Sequence, residues 1–395
     1  FNGNNIFTTG SVLLNSENSE VYSYHTALLS NNKDSILIGN YAGLNTMGNE
    51  GNNNILIGKE SGKNISSGSN NVLLGNYTGK ELDGNKNILL GNNAGYNLKN
   101  NDESVMIGYK SGFNTQKKNL FLGTYAGYNI TGQDNIVLGN TNENVNVNEN
   151  ENENEINVND NIFIGNDSGI ESTGNRNICL GEGSGIVDNG SNNVNIGSYT
   201  ASKNKYSDIP LIEGTGYNVN IGHMAGRNTI DSSKSINIGG GSGELSLQDE
   251  NINIGFKAGR NLSGTKNVSI GNETLIGQYN QDNPDNPDNQ DTISNVVIGD
   301  KAGKNILSKQ NVVIGAETGP RDTKKIGDDN ILIGFKSGNE MGGNDIDGPK
   351  NNILMGTLSG NKVTGNDNIY MGNNSGSSNV LGEKNEIGRA HVWTP

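Results

Sequence analysis

Asn87–Asn97 reads N-I-L-L-G-N-N-A-G-Y-N, and close variants of it recur from one end of the chain to the other. Anchored on the first glycine, the copies fall at Gly39, Gly58, Gly75, Gly91, Gly108, Gly123, Gly139, Gly165, Gly181, Gly197, Gly222, Gly239, Gly255, Gly271, Gly299, Gly315, Gly334, Gly356 and Gly372. Of the 18 intervals between these 19 anchors, eight are 16 residues, three are 17 and one is 15; the rest are longer. Self-similarity at a short fixed period is the mark of a solenoid, whose coils bury their apolar side only by stacking on their neighbours.

The position four before the anchor is Asn in 16 copies and Ser in three, Ser35, Ser104 and Ser235. Three residues follow, such as Ile36-Leu37-Ile38, and then the glycine. A period of two in so short a run means a strand whose outer members share one face while the middle one takes the other. The glycine marks a corner, since absence of Cβ permits a tight or left-handed bend. A second glycine lies four residues on in 16 copies, preceded by Ala, Ser or Thr, and is missing after Gly139, Gly197 and Gly271. Asn often follows two residues later, as at Asn45, Asn64, Asn97, Asn114, Asn129, Asn228, Asn261 and Asn305, where left-handed backbone is tolerated. Asn stacked in successive coils can also form a hydrogen-bonded ladder. The pattern predicts an all-β, parallel β-solenoid (a β-roll) of about 19 coils of roughly 16 residues, each with two short strands and two Gly/Asn corners.

With the flanking Ile/Val residues assigned to the coil interior, the middle residues point outward. Fourteen of the 19 are apolar, among them Leu37, Leu56, Leu73, Leu89, Met106, Phe121, Phe163, Val297, Val313, Leu332 and Leu354. An outward stripe of that length predicts a binding surface, most simply the interface of a side-by-side homotrimer; the alternative is that long corner loops cover it within one chain. Asn195, Asn220, Asn237, Asn253 and Ser269 interrupt the stripe, which predicts a wetter or splayed interface there.

Along the chain, residues 1–34 read as an irregular N-terminal cap holding one degenerate copy, and 35–386 as the repeat domain. Loop insertions stretch the repeat at 140–161 (Asn- and Glu-rich), 203–217 and 278–294, the last carrying Asn283-Pro284-Asp285 and Asn286-Pro287-Asp288. Insertions of this kind are either ligand-contacting loops or tolerated slippage of a simple repeat. Residues 387–395, I-G-R-A-H-V-W-T-P, hold the only tryptophan and break the Asn/Gly composition; they resemble a translated sequencing adapter and are set aside. A start at Phe1 rather than Met reads as truncation.

Composition narrows the function classes. The 395 residues carry a formal net charge of −14 and no basic cluster, which argues against nucleic acid. No run is apolar for long enough to span a membrane as a helix. The lone cysteine, Cys179, occupies a middle strand position and reads as packing. His25, His223 and His391 are far apart, no acidic pair recurs at one coil position, and Gly239–Gly243 lacks the Gly-Lys-Ser/Thr of a phosphate loop. The Asn/Glu insertion has neither EF-hand spacing nor a calcium nonapeptide. Sequons such as those at Asn64, Asn76, Asn129, Asn166 and Asn267 arise from an Asn-rich repeat with Ser/Thr at fixed positions. No catalytic residue, metal or cofactor is expected.

The unit N-[IV]-x-[IVLM]-G-x-x-[AST]-G resembles the head repeats of trimeric autotransporter adhesins (YadA-like heads) and the Asn/Gly repeats of phage and viral tail-fibre proteins, over roughly residues 35–376. The spacing of 16 is longer than in those heads, whose strands are richer in alanine. The resemblance implies a left-handed β-roll assembled as a homotrimer. It further implies an adhesin or fibre shaft on a cell or virion surface, facing a host receptor, glycan or matrix protein, with no catalytic residues to carry over. Two other classes compete. A tailspike-like solenoid that binds or cleaves polysaccharide would need a clustered acidic site, and an ice-binding solenoid would need an array of Thr at one strand position.

Overall fold

The computed structural model describes residues 7–8, 11–12, 35–44, 53–65, 68–98, 101–113, 115, 118–128, 130, 132–140, 159–170, 172, 174–186, 190–202, 216–229, 233–246, 249–277, 292–304, 306, 308–320, 326–342, 348–377, 384 and 386–387. Most of the cap, the bulk of the three insertions, the 388–395 tail, His25 and His391 lie outside them. The chain divides into two compact units, Phe1–Val187 and Asp188–Pro395.

In the first unit, β1 (Phe7–Thr8) and β2 (Ser11–Val12) form a tight antiparallel pair, and β2 then joins a parallel ladder. That ladder continues through β3 (Ser35–Ile38), β4 (Ile55–Ile57), β5 (Val72–Leu74), β6 (Ile88–Leu90), β7 (Val105–Ile107), β8 (Leu120–Leu122), β9 (Ile136–Leu138), β10 (Ile162–Ile164) and β11 (Ile178–Leu180). The second unit repeats the arrangement with β12 (Val194–Ile196), β13 (Val219–Ile221), β14 (Ile236–Ile238), β15 (Ile252–Ile254), β16 (Val268–Ile270), β17 (Val296–Ile298), β18 (Val312–Ile314), β19 (Ile331–Ile333), β20 (Ile353–Met355), β21 (Ile369–Met371) and β22 (Glu386–Ile387). Equivalent residues of successive copies pair, Leu56 with Leu73 and Leu73 with Leu89. This is a parallel β-solenoid. Each copy holds one strand rather than the two expected, because the chain after the anchor glycine runs as hydrogen-bonded turn (Gly43 N–H donates to the Ser61 carbonyl at 2.9 Å).

The inside and outside of the coil are reversed from the sequence expectation. The middle residues are interior: Leu56, Leu73, Leu89, Met106, Phe121, Val297, Val313, Leu332 and Leu354 are 0% exposed, with Leu37 at 3% and Phe163 at 2%. No outer member of any triad from β3 to β21 is buried. The reason is width. The coil is narrow enough that one long side chain per strand fills it. A second inward column, seven residues after the anchor, closes the core with Ile65, Leu82, Leu98, Leu262, Ile306, Met341 and Val363.

The second glycine sits between these two columns. A Cβ built on Gly62 would stand 2.8 Å from Leu56 and 2.8 Å from Ile65, and one on Gly95 would meet Leu89 at 2.5 Å and Leu98 at 2.8 Å. The two described copies that lack this glycine carry the smaller middle residues Asn195 and Ser269, with Ala201 (φ 49°) and Leu275 (φ 45°) in its place. Beside Ser269, the Leu275 side chain itself is fully buried. The anchor glycine answers a different need. Gly75 has φ +138°, and a Cβ there would lie 2.5 Å from the Gly91 carbonyl oxygen of the next copy.

The Asn four before each anchor is buried and forms the ladder. Asn71 Oδ1 accepts the Asn87 N–H at 2.9 Å, while Asn71 Nδ2 donates to the Gly84 carbonyl at 2.9 Å. Where Ser replaces it the hydroxyl accepts instead, as Ser104 Oγ does from Asn119 N–H at 3.2 Å. Of the Asn residues after the second glycine, Asn64, Asn97, Asn228 and Asn261 play the turn role expected of them, with φ of 64°, 60°, 53° and 55°; Asn45, Asn114, Asn129 and Asn305 lie outside the described residues. Buried Ser hydroxyls before the second glycine tie copies together, Ser168 Oγ donating to the Cys179 carbonyl at 2.9 Å.

Candidate interaction surfaces

The eleven residues expected at an oligomer interface are gathered by the structure, but as core. Leu37, Leu56, Leu73, Leu89, Met106, Phe121 and Phe163 belong to the apolar interior of the first unit, and Val297, Val313, Leu332 and Leu354 to that of the second. Buried within a single chain, they present no surface to a partner. Sequence reasoning missed the outer members of each triad instead. Ile36 is 44% exposed, Ile88 41% and Met371 50%, and the outer residues of every other described strand from β3 to β21 are half-buried or exposed. Each unit therefore carries two parallel columns of Ile, Val, Leu or Met on the open face of its ladder.

The polar interruption also moves inside. Asn220 Nδ2 donates to Asn195 Oδ1 at 2.9 Å, Asn237 Nδ2 to Asn220 Oδ1 at 2.8 Å, and Asn253 Nδ2 to Asn237 Oδ1 at 2.9 Å. Asn253 Oδ1 ends this buried ladder without a hydrogen-bond partner. Over the same strands, β12 to β16, the outer pair stays Val or Ile throughout. The outward face is thus kept apolar even where the core is not. Core packing cannot be the cause of that, since these side chains do not point into it.

A second surface lies on the turn side of the first unit, at positions one, two and five after the anchors. Tyr96, Phe113 and Tyr128 come from successive copies and stack with centroid separations of 5.2 and 4.9 Å. Tyr125 meets Tyr128 at 5.6 Å and Tyr109 at 5.4 Å. Lysines extend the row: Lys110 lies over Tyr109 and Tyr125, Lys80 over Tyr77 and Tyr96, Lys59 over Tyr77 and Lys63 over Tyr41, all between 5.3 and 5.8 Å from the ring centroid. Glu60 bridges Lys63 at 3.1 Å and Lys80 at 3.5 Å. Burial pushes the Glu60 carboxyl up, but the hydrogen bond and charge of Lys63 and the charge of Lys80 outweigh it and hold the group below its ordinary value. Burial works against the Lys80 ammonium, yet Tyr96 and Glu60 raise it overall. The hydroxyl of Tyr77 raises Lys59, which is exposed.

The remaining candidates stay apart. Among the described residues no group of three His, Cys, Asp or Glu side chains could hold a metal ion, and no helix is long and apolar enough to cross a membrane. His223 is exposed on a corner, edge-on to Tyr199 at 6.5 Å. Cys179 is buried at its middle strand position. Gly239–Gly243 forms a repeat corner in which a Cβ on Gly243 would collide with Asn237. The sequon at Asn267 is closed: Asn267 is fully buried in the ladder, and so is Ser269. No protein-family model matches the chain, and the search of curated proteins finds no match.

Proposed function

We propose that the chain is a structural and adhesive segment of a surface fibre. In this reading it has no catalytic role, works outside the cell on a cell or virion surface, and assembles side by side as a homotrimer. The observation that carries this reading is the pair of outward aliphatic columns, unbroken from β3 to β11 and again from β12 to β21. Apolar patches beyond a few hundred Å² on a protein surface mark interaction sites. Nine strands at about 4.8 Å spacing, each about 10 Å long, make a patch of roughly 400 Å² on the first unit alone. A stable interface needs about 800 Å² per partner. The ten strands of the second unit, β12 to β21, carry a patch of roughly the same size on the same estimate. Self-complementary columns are best satisfied when copies of them meet about a common axis, which closes the assembly.

The test is the mass of the full chain in solution by light scattering. Three times the mass of one chain is expected. Ile88→Asp combined with Ile164→Asp should return it to a single chain while the β-rich circular dichroism spectrum persists. A parent protein that is monomeric at micromolar concentration would remove the basis of the proposal.

A further inference from the structure

We propose that the tyrosine–lysine edge of the first unit is a docking strip for an acidic polysaccharide, a chain bearing carboxylate or sulfate groups. This extends the adhesive reading by naming the attachment chemistry. It uses a different face from the aliphatic columns, so the two ideas fail separately.

Charge is the first argument. On a chain of net charge −14, the copies anchored from Gly58 to Gly108 gather Lys59, Lys63, Lys80 and Lys110 on this edge against two carboxylates, Glu60 and the exposed Glu81; the unit's other edge acids, Asp167 and Glu182, belong to the copies of Gly165 and Gly181. Among the described residues neither Lys59 nor Lys110 makes a salt bridge; each leans on tyrosine rings instead. In the second unit more of the cations are held by acids. There Arg260 pairs with Glu244 at 3.1 Å, Lys304 with Glu273 at 3.8 Å, Lys336 with Glu317 at 3.7 Å and Lys362 with Glu340 at 3.7 Å, each carboxylate coming from a neighbouring copy. In the first unit Glu60 holds Lys63 and Lys80, while Lys59 and Lys110 rest on tyrosine rings outside any salt bridge among the described residues. The second unit also sets Lys257 over Phe256 at 4.7 Å and Lys336 over Phe335 at 4.8 Å, so what sets the first unit apart is the run of rings stacked from copy to copy.

Ring geometry is the second argument, and it selects the kind of polyanion. A single-stranded nucleic acid needs open ring faces on which bases stack. Here Tyr96, Phe113 and Tyr128 cover one another's faces, with interplanar angles of 3° and 8°, and Lys80 lies over Tyr96. What the stack leaves to a ligand is its edges, the tyrosine hydroxyls and the flanking ammonium groups. Those suit a chain rich in hydroxyls and anionic groups. Tyrosine also brings contact area at low entropic cost, because only two side-chain torsions need ordering. Cations resting on rings are held in place before the ligand arrives.

The experiment passes the full chain over immobilised heparin, hyaluronan and dextran, with a single-stranded oligonucleotide as competitor. Retention on heparin or hyaluronan, or both, is expected, with none on dextran, and it should weaken between about 50 and about 300 mM salt as screening shortens. Lys59→Gln with Lys110→Gln should weaken binding roughly tenfold while the mass by light scattering stays unchanged. Lys304→Gln with Lys362→Gln, on the second unit, should leave binding as it was. As a check that needs no variant, the bound polysaccharide should protect Lys59 and Lys110 from acetylation. The proposal is overturned by no retention on either acidic chain at low salt, by equal retention on dextran, or by displacement at lower concentrations of oligonucleotide than of free polysaccharide. It is equally overturned by undiminished binding of the first double variant or by unprotected lysines. Loss of assembly with retained binding would instead count against the lateral columns alone.

Discussion

Gly75 meets two demands at once, a φ of +138° and the Gly91 carbonyl oxygen lying 2.5 Å from where a Cβ would stand. Gly75→Ala should therefore cost roughly 2–5 kcal/mol from backbone strain and enforced separation of the copies. Gly240 has no such constraint, its nearest neighbour being a Phe256 ring atom 3.5 Å from a built Cβ, so Gly240→Ala should be close to neutral. Thermal melts of the two variants separate these outcomes, and equal melting points would contradict the packing described. The ladder Asn tests the same scale with polar chemistry. Asn267 Oδ1 accepts from the Asn295 N–H at 3.0 Å and from Asn295 Nδ2 at 3.1 Å, and Asn267 Nδ2 donates to the Thr292 carbonyl at 2.6 Å. Asn267→Ala orphans buried groups on both sides and should cost roughly 2–4 kcal/mol. Asn267→Ser should cost less, because Ser235 Oγ already accepts the Asn251 N–H at 3.2 Å in the same role. Hydrogen exchange at Asn295 reads the difference directly.

At the scale of one coil, packing is a size exchange between the middle strand residue and the second corner. Ser269 and Leu275 invert the usual pairing of a large middle residue with glycine. Leu275→Gly alone empties part of the core and should cost roughly 3–5 kcal/mol; Ser269→Leu alone overfills it. The double variant rebuilds the arrangement of Leu89 with Gly95 and should recover most of the loss, so a double-mutant cycle with no coupling would argue against the exchange. This is also where the sequence was legible and where it was not. The period, the three-residue strands, the anchor corners and the left-handed Asn turns follow from spacing and residue type. Inside and outside did not, because in most copies the three-residue run is apolar on both faces even though only one is buried, and hydropathy cannot rank two greasy sides. The glycines held the missing clue. A second glycine absent only in the copies of Ser269, Asn195 and Val137, yet present beside every Leu, Met, Phe and Tyr at the middle position, marks that position as the crowded interior. The outer columns, and with them the proposed association surface, were hidden by the same inversion. The tyrosine–lysine edge needed coordinates, since its rings come from copies about 16 residues apart and from three different positions after the anchor. The inversion also fixes what substitutions do: Leu89→Asp should unfold the surrounding coils, and Ile88→Asp should leave them folded.

For the whole molecule the decisive balance is between apolar columns and a net charge of −14. Copies brought together repel one another at long range, and salt shortens that repulsion from about 30 Å at 0.01 M to about 8 Å at 0.15 M. Burial of the Ile/Val columns is not weakened by such salt, and sulfate strengthens it. The assembled fraction should therefore rise as ionic strength rises, and rise further in sulfate than in chloride at matched ionic strength. Ion pairing across the interface would produce the opposite trend. Polysaccharide binding at the tyrosine–lysine edge carries the opposite sign as well, weakening over the same salt range. Acid adds an independent check on that edge. Glu60 is held below its ordinary value in the fold, so the stability it contributes is present above the unfolded carboxylate range and lost as pH falls through its folded value. Lys80 is raised, so its contribution is complete below the unfolded lysine value and lost as pH climbs through the folded one. The bridge is thus in force across neutral pH and fails at both extremes. Glu60→Gln should flatten the acid limb of stability in the first unit without altering the salt dependence of assembly. A series of light-scattering masses and melting curves across salt and pH separates the two surfaces by the sign of each response.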